Sequence, residues 1–192
     1  MLRYLFEKIM LIMDNYSQKK NFLYLRNLIG RRIEIFFDVG FHEGETTTLA
    51  NKYFLIKEIH AFEPNPGISK NFYGRKNKNI FLVNKGVGRK NCKKTFFTNN
   101  FSPINSFFRV NNRSKHTRLK SKILSFIYSE KINSKQRNVE IVTLKNYCQK
   151  KNIDKIDVLK IDTEGSEYDV LFGLGENIKN VKCILFEHHY DK

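Results

Sequence analysis

Ile33-Glu34-Ile35-Phe36-Phe37-Asp38-Val39-Gly40-Phe41-His42-Glu43-Gly44 decides the fold of this chain. A short apolar run ends on an aspartate, opens into two glycines and leads into Glu43–Lys52, whose pattern is helical. Such a run reads as a buried strand, a tight turn and the helix it feeds. Lys160-Ile161-Asp162-Thr163-Glu164-Gly165-Ser166-Glu167 repeats the arrangement, with Val158, Leu159 and Ile161 before the aspartate and Gly165 in the turn. Strand–turn–helix units in series need right-handed crossovers and a mainly parallel sheet covered on both faces. The fold class is therefore α/β, and in open α/β sheets the strand-to-helix edge is where ligands bind.

Outward from these stretches, strands are expected at Ile33–Val39, Lys57–Phe62, Asn79–Val83, Lys94–Thr98, Val139–Thr143, Asp157–Ile161 and Cys183–Phe186. Helices are expected at Glu43–Lys52, from Pro66 onward, at Leu144–Lys151 and at Glu167–Leu174, proline suiting a first helical turn. Residues 1–30 form an N-terminal helical segment, in which Leu2, Leu5, Phe6, Ile9, Ile12 and Met13 recur at helical spacing. Residues 31–192 form the main domain. It is interrupted at about 99–138 by a polar, basic insertion expected to carry one short helix near the carboxyl edge of the sheet.

The chain's 192 residues suit one domain that buries a core without cross-links. Hydrophobic residues at 41% and charged residues at 28% make a globular mix rather than a disordered one. Cys92, Cys148 and Cys183 are odd in number and widely spaced, which opposes a disulfide framework or zinc knuckle and fits a cytoplasmic location. No apolar run approaches the ~18 residues of a membrane span. The N-terminal amphipathic helix suits packing on the domain better than peripheral membrane contact.

The formal net charge is +16. A nucleic-acid partner is one reading of that excess. Lysine dominates it, however, in a chain rich in Asn and Ile, so lysines solvating the surface account for it more simply. Net charge speaks to solubility and non-specific binding rather than to activity.

The chemistry gathers at the strand ends. Gly40 and Gly44 let the backbone approach a ligand, and a helix N-terminus offers free N–H groups. A dinucleotide site shows GxGxxG with pyrophosphate on that N-terminus. This chain has DxGxxxG instead, with Asp38, Glu43 and Glu45 crowding the turn. Such negative charge is wrong for pyrophosphate and suits a cationic sulfonium with an amino group, which points to S-adenosyl-L-methionine. Glu63 ends the next strand in Ala61-Phe62-Glu63-Pro64-Asn65-Pro66, where a carboxylate can accept from both ribose hydroxyls. The plainer reading of Glu63 is a surface cap on the following helix.

At the second edge Asp162 is the candidate base or acceptor-orienting group, with Glu164 beside it; the alternative is that both only brace loops. Lys160 alternates onto the same strand face as Asp162 and can pair with a neighbouring carboxylate. Glu187, His188 and His189 follow the last strand in line with this edge. His189 is a candidate base, and a metal held by Asp162, Glu187 and His189 is the weaker reading.

Taken together, Phe37–Gly40, Ala61–Pro66, Thr143-Leu144, Leu159–Glu167 and Phe186-Glu187 resemble the FkbM-type S-adenosylmethionine-dependent methyltransferases, over roughly Ile35 to His189. The resemblance implies a Rossmann-like class I methyltransferase sandwich and methyl transfer to oxygen, on a small-molecule or saccharide or glycolipid hydroxyl. It also implies a glycine-turn cofactor motif from Asp38, Gly40 and Gly44, a ribose contact from Glu63 with Asn65 beside it, and Asp162 and Glu164 at the reaction edge; Phe41 and Pro64 complete the candidate cofactor-binding residues, and Lys160 and His189 the candidate catalytic ones. Phe41 stands where the family usually has a small residue, and the chain ends before the family's C-terminal antiparallel strand pair. An RNA methyltransferase is the alternative, without an appended RNA-binding module or NPPY-like tetrapeptide in its favour. A truncated cofactor-binding chain without turnover is the second.

Overall fold

The computed structural model describes residues 18–68, 78–99 and 134–186. A helix over residues 18–29 (α1) leads through Gly30 into β1 (Arg32–Val39), α2 (Glu45–Tyr53) and β2 (Leu55–Phe62). Then come β3 (Ile80–Val83), β4 (Gly86–Val87) and β5 (Cys92–Asn99). The third described stretch holds β6 (Ser134–Val142), α3 (Leu144–Lys151), β7 (Ile156–Ile161), α4 (Glu167–Leu174), a 3-10 turn at Gly175–Asn180 and β8 (Val181–Phe186).

The main sheet runs β3-β2-β1-β7-β8 and every pair in it is parallel. The chain steps outward from β1 to β3, then returns to lay β7 against the free side of β1. The strand order thus reverses between β1 and β7, which makes their carboxyl ends the switch point where ligands bind in such sheets.

Both faces of this sheet are covered, which explains the nearly unbroken apolar runs. On one side Phe22 and Leu25 of α1 and Leu49 and Ala50 of α2 pack on Phe36, Ile59 and Val158. On the other, Leu144 and Tyr147 of α3 and Val170 and Leu174 of α4 pack on Phe37, Val39, Leu159 and Ile161. Thr143 caps α3 by accepting from Asn146 N at 3.2 Å. Among the described residues no helix is long and apolar enough to cross a membrane.

The structure corrects the sequence reading on the strands flanking the insertion. These do not join the parallel sheet: β4, β6 and β5 form a second sheet in that order, with β5 and β6 antiparallel over eight residue pairs. β6 begins at Ser134, inside the expected insertion. Lys135, Gln136, Arg137 and Asn138 are exposed and polar, so their composition resembles a loop, but the cross-strand ladder to β5 makes them strand. The two-residue β4 was not expected, since its glycine-flanked sequence carries no strand pattern. The expected helix within the insertion, that at Met1–Met13 and the continuation of the Pro66 helix past residue 68 all lie outside the described residues.

Candidate functional site

Three strand ends meet at the switch point. After Val39 the backbone turns through Gly40 (φ +83°), His42 (φ +48°) and Gly44 (φ +84°) before α2 begins. Gly40 N and Phe41 N both donate to Phe62 O, at 3.1 and 3.0 Å, tying the turn to the end of β2. From the other side Asp162 N donates to Val39 O at 2.9 Å. A Cβ built on Gly40 would lie 1.7 Å from Asp162 O, so only glycine lets the two loops touch.

Phe41 explains Gly44. The Phe41 ring is 1% exposed and packs with Ala61, Ile80 and Leu82, and a Cβ on Gly44 would sit 2.5 Å from its tip. The bulky residue at position 41 therefore fills the space between the turn and β2 and β3.

Asp38 and Lys160 are register partners across β1 and β7. Asp38 is fully buried; Thr47 Oγ1 of α2 donates to its Oδ2 at 2.7 Å, and its Oδ1 faces Lys160 Nζ at 3.3 Å without an aligned hydrogen bond. Lys160 Nζ also lies 3.3 Å from Asp162 Oδ2 and donates to Gly40 O at 3.2 Å. One buried ammonium thus bridges both acidic strand ends and the glycine turn. Burial works against the Lys160 charge, but Asp38 and Asp162 outweigh it and hold its pKa above the usual lysine range. Burial pushes the Asp38 carboxyl up, against the pull of Lys160 and Thr47.

Glu63 clamps two loops. Its Oε2 accepts from His42 N at 2.9 Å and its Oε1 from Asn65 N at 2.8 Å, while Asn84 Nδ2 donates to Glu63 O at 2.8 Å. The residue is 5% exposed, and burial raises its pKa against those amide donors. It is not the exposed helix cap of the plainer sequence reading.

At the end of β7, Asp162, Thr163 and Glu164 are half-buried, and Glu164 takes a left-handed conformation (φ +52°) beside Gly165. Glu167 Oε1 organises this loop by accepting from Thr163 N, Thr163 Oγ1 and Gly165 N at 3.0–3.1 Å. Burial opposes the Glu167 charge, but these donors outweigh it and hold the carboxyl below its usual range.

The structure thus brings Asp38, Gly40, Phe41, Gly44, Glu63, Pro64, Asn65, Lys160, Asp162 and Glu164 to one edge of the sheet. Within that group Asp38 and Phe41 lie behind the turn, whereas Gly40, Pro64, Asn65, Asp162 and Glu164 keep partial exposure. Glu187 and His189 fall outside the described residues. Among the described residues no group of three or more His, Cys, Asp or Glu side chains converges on a metal position.

Sequence reasoning missed three supports: Thr47 on Asp38, Asn84 on Glu63, and the His42–Glu45 pair, whose Nδ1 and Oε1 are 3.1 Å apart. Burial lowers the His42 pKa, but the hydrogen bond and charge of Glu45, with Glu43 and Glu63, outweigh it and leave His42 raised. The i, i+3 spacing of His42 and Glu45 was the available signal.

No curated protein matches the chain. Among solved structures, the methyltransferase FkbM from Methylobacillus flagellatus KT is similar, with 12% identity and a TM-score of 0.42. The alignment covers 77% of this chain, which spans only 30% of that protein's length. The Methyltransferase FkbM domain pattern matches residues 38–192, from the buried aspartate of the glycine turn through the Asp162 edge and beyond. A match over that much of the sequence places this chain in the FkbM methyltransferase domain family.

Proposed function

We propose that the chain binds S-adenosyl-L-methionine at the carboxyl edge of β1 and β2 and methylates a hydroxyl of a small-molecule or saccharide acceptor. The observation that carries this reading is the convergence of the Gly40 turn, the Glu63 clamp and the half-buried Asp162 at the switch point.

The donor set fits such a cofactor. The turn exposes backbone next to carboxylates and carries no lysine or arginine between Val39 and Leu49 that would select a phosphate. Glu63 uses one lone pair on each oxygen for the amides of His42 and Asn65, so each oxygen retains one acceptor position for a ribose hydroxyl. Gly40, Gly44, Pro64 and Asn65 would shape the cradle around it. When bound, the cofactor supplies an electrophilic methyl group on a cationic sulfonium.

The chain's own work is positioning. Asp162 combines partial exposure with a carboxylate held by Lys160; it would orient the acceptor hydroxyl and take its proton. Lys160 holds Asp162 against the glycine turn, and Glu164 lies two residues further along the loop. His189, on the segment after β8, would be an auxiliary base.

Calorimetric titration of S-adenosyl-L-methionine into wild type and Glu63→Ala tests the cofactor reading. Saturable binding by wild type, weakened at least tenfold in the variant, supports it. Absence of binding by the folded wild type sinks it. Asp162→Asn should keep cofactor affinity within about threefold and lose turnover, an outcome separable from loss of binding.

A further inference from the structure

The geometry points to the β5–β6 ribbon as an anion-binding wall above the methyl-transfer edge, selecting an acceptor that carries a phosphate or carboxylate; as a statement about the acceptor it rests on the function proposed above.

The placement follows from chain direction. Asn84 sits at the carboxyl edge, bonded to Glu63 O, and the chain reverses there, with Lys85 N donating to Val83 O at 2.8 Å. β4 then descends to Gly88, whose carbonyl oxygen would lie 2.2 Å from a Cβ on Gly173, near the far end of α4. β6 is parallel to β4, with Gly86 opposite Ile141 and Val87 opposite Val142, so it descends too. It continues directly into α3, which leads back toward the start of β7. Lys85 reaches Glu140 across this pairing with a 2.6 Å ion pair, which fixes Glu140 at the level of the edge. Everything in β6 before Glu140, and its β5 partners, therefore rises past the edge on which Glu63 and Asp162 lie. At ~3.4 Å per residue, Ser134 to Glu140 projects about 20 Å.

One face of the ribbon buries Phe96 and Val139 with Ile141 and Cys92 and carries cations among and beyond them, Arg137 and Lys135 being exposed. Opposite pairs share a face, so Lys94 with Val139, Phe96 with Arg137 and Thr98 with Lys135 lie together. Lys94, Arg137 and Lys135 form a line at roughly 7 Å steps, the spacing of diagonal and alternate neighbours. Arg137 and Lys135 are exposed and meet no carboxylate among the described residues. Arginine adds a planar fork suited to phosphate or carboxylate.

A row this short matches one or two anionic groups, not the roughly six or more phosphates of a typical nucleic-acid footprint. Phe96, the aromatic residue facing Arg137, is only 4% exposed and offers no stacking platform for bases. The ligand class these features favour is a phosphorylated or uronic saccharide.

The test uses the full chain, with glucose 1-phosphate as the probe and glucose as the neutral control, followed by NMR of the backbone amides. Glucose 1-phosphate should bind saturably and shift amides in 94–98 and 135–138. Lys135→Gln/Arg137→Gln should weaken it at least tenfold, while Lys179→Gln/Lys182→Gln, which removes equal charge at the 3-10 turn and the start of β8, should change it less than twofold. Equal weakening in both double variants, shifts confined to other regions, or no saturable binding would overturn the site. So would a single-stranded RNA that binds these amides while glucose 1-phosphate fails to compete. S-adenosyl-L-methionine binding is measured on the same samples. Its absence beside intact phosphate binding counts against the cofactor reading and leaves the anion site standing; the reverse result removes the anion site alone.

Discussion

Gly40 lies so close to Asp162 that a Cβ on it would come within 1.7 Å of the Asp162 carbonyl oxygen. Two loops far apart in sequence thus meet through the absence of a side chain. Gly30 has nearly the same backbone conformation (φ +84°), yet a Cβ there would have nothing within 4 Å. The pair separates backbone strain from collision.

Gly30→Ala should cost about 1–2 kcal/mol, the strain of a left-handed alanine. Gly40→Ala adds displacement of the Asp162 loop and should cost at least about 2 kcal/mol more, as forced repacking of a filled space does. Urea unfolding of both variants checks this, and equal losses would contradict the contact.

Lys160→Met leaves Asp38 and Asp162 without their shared cation. A loss of about 3–5 kcal/mol is expected, the usual range when one partner of a buried ion pair is removed. Adding Asp38→Asn removes the stranded buried charge and should restore part of that loss. Chemical denaturation of the single and double variants measures the recovery; strictly additive losses would contradict the pairing.

Gly44→Ala presses a methyl group into the Phe41 ring, 2.5 Å away, and also strains a turn at φ +84°. In the background of Phe41→Leu the collision is relieved and only the strain remains. A thermodynamic cycle over the two positions should show coupling of about 0.5–3 kcal/mol in the sense of rescue. Zero coupling would mean that the ring does not support the turn.

Glu167 titrates below its usual range in the folded chain because the amides of Gly165 and Thr163 and the Thr163 hydroxyl outweigh the effect of burial. A depressed carboxyl stabilises the fold above its unfolded pKa, about 4.3–4.5, and that contribution disappears as pH falls through the lower folded value. Glu167→Gln should therefore destabilise the chain at neutral pH and flatten the acid limb of its stability profile. Thermal melts across the range from mild acid to neutrality test this; parallel profiles would remove Glu167 from the loop's support.

Much of this edge is legible in sequence because its signals are local. Phe36-Phe37-Asp38-Val39-Gly40 carries strand, carboxylate and turn within one short stretch, and Leu144–Lys151 and Glu167–Leu174 fall where their patterns place them. The link from Lys160 to a carboxylate is likewise foreshadowed by the alternation of a single strand. The start of β6 is not legible, because Lys135-Gln136-Arg137-Asn138 owes its strand state to β5, a partner distant in the chain.

The sequence by itself determined the α/β class and the two strand-to-helix edges, since periodicity and glycine–carboxylate spacing are properties of neighbouring residues, and its ordered motifs over residues 38–192 match the family. Tertiary structure decided which side chains remain at the surface of the site. Asp38 and Phe41 carry the motif yet are buried by α2 and β2, whereas Asp162 keeps partial exposure at the same edge. It also decided that the basic ribbon rises above that edge, through β4 reversing at Asn84. Burial and chain direction depend on contacts between segments far apart in sequence, and only the folded chain holds those contacts.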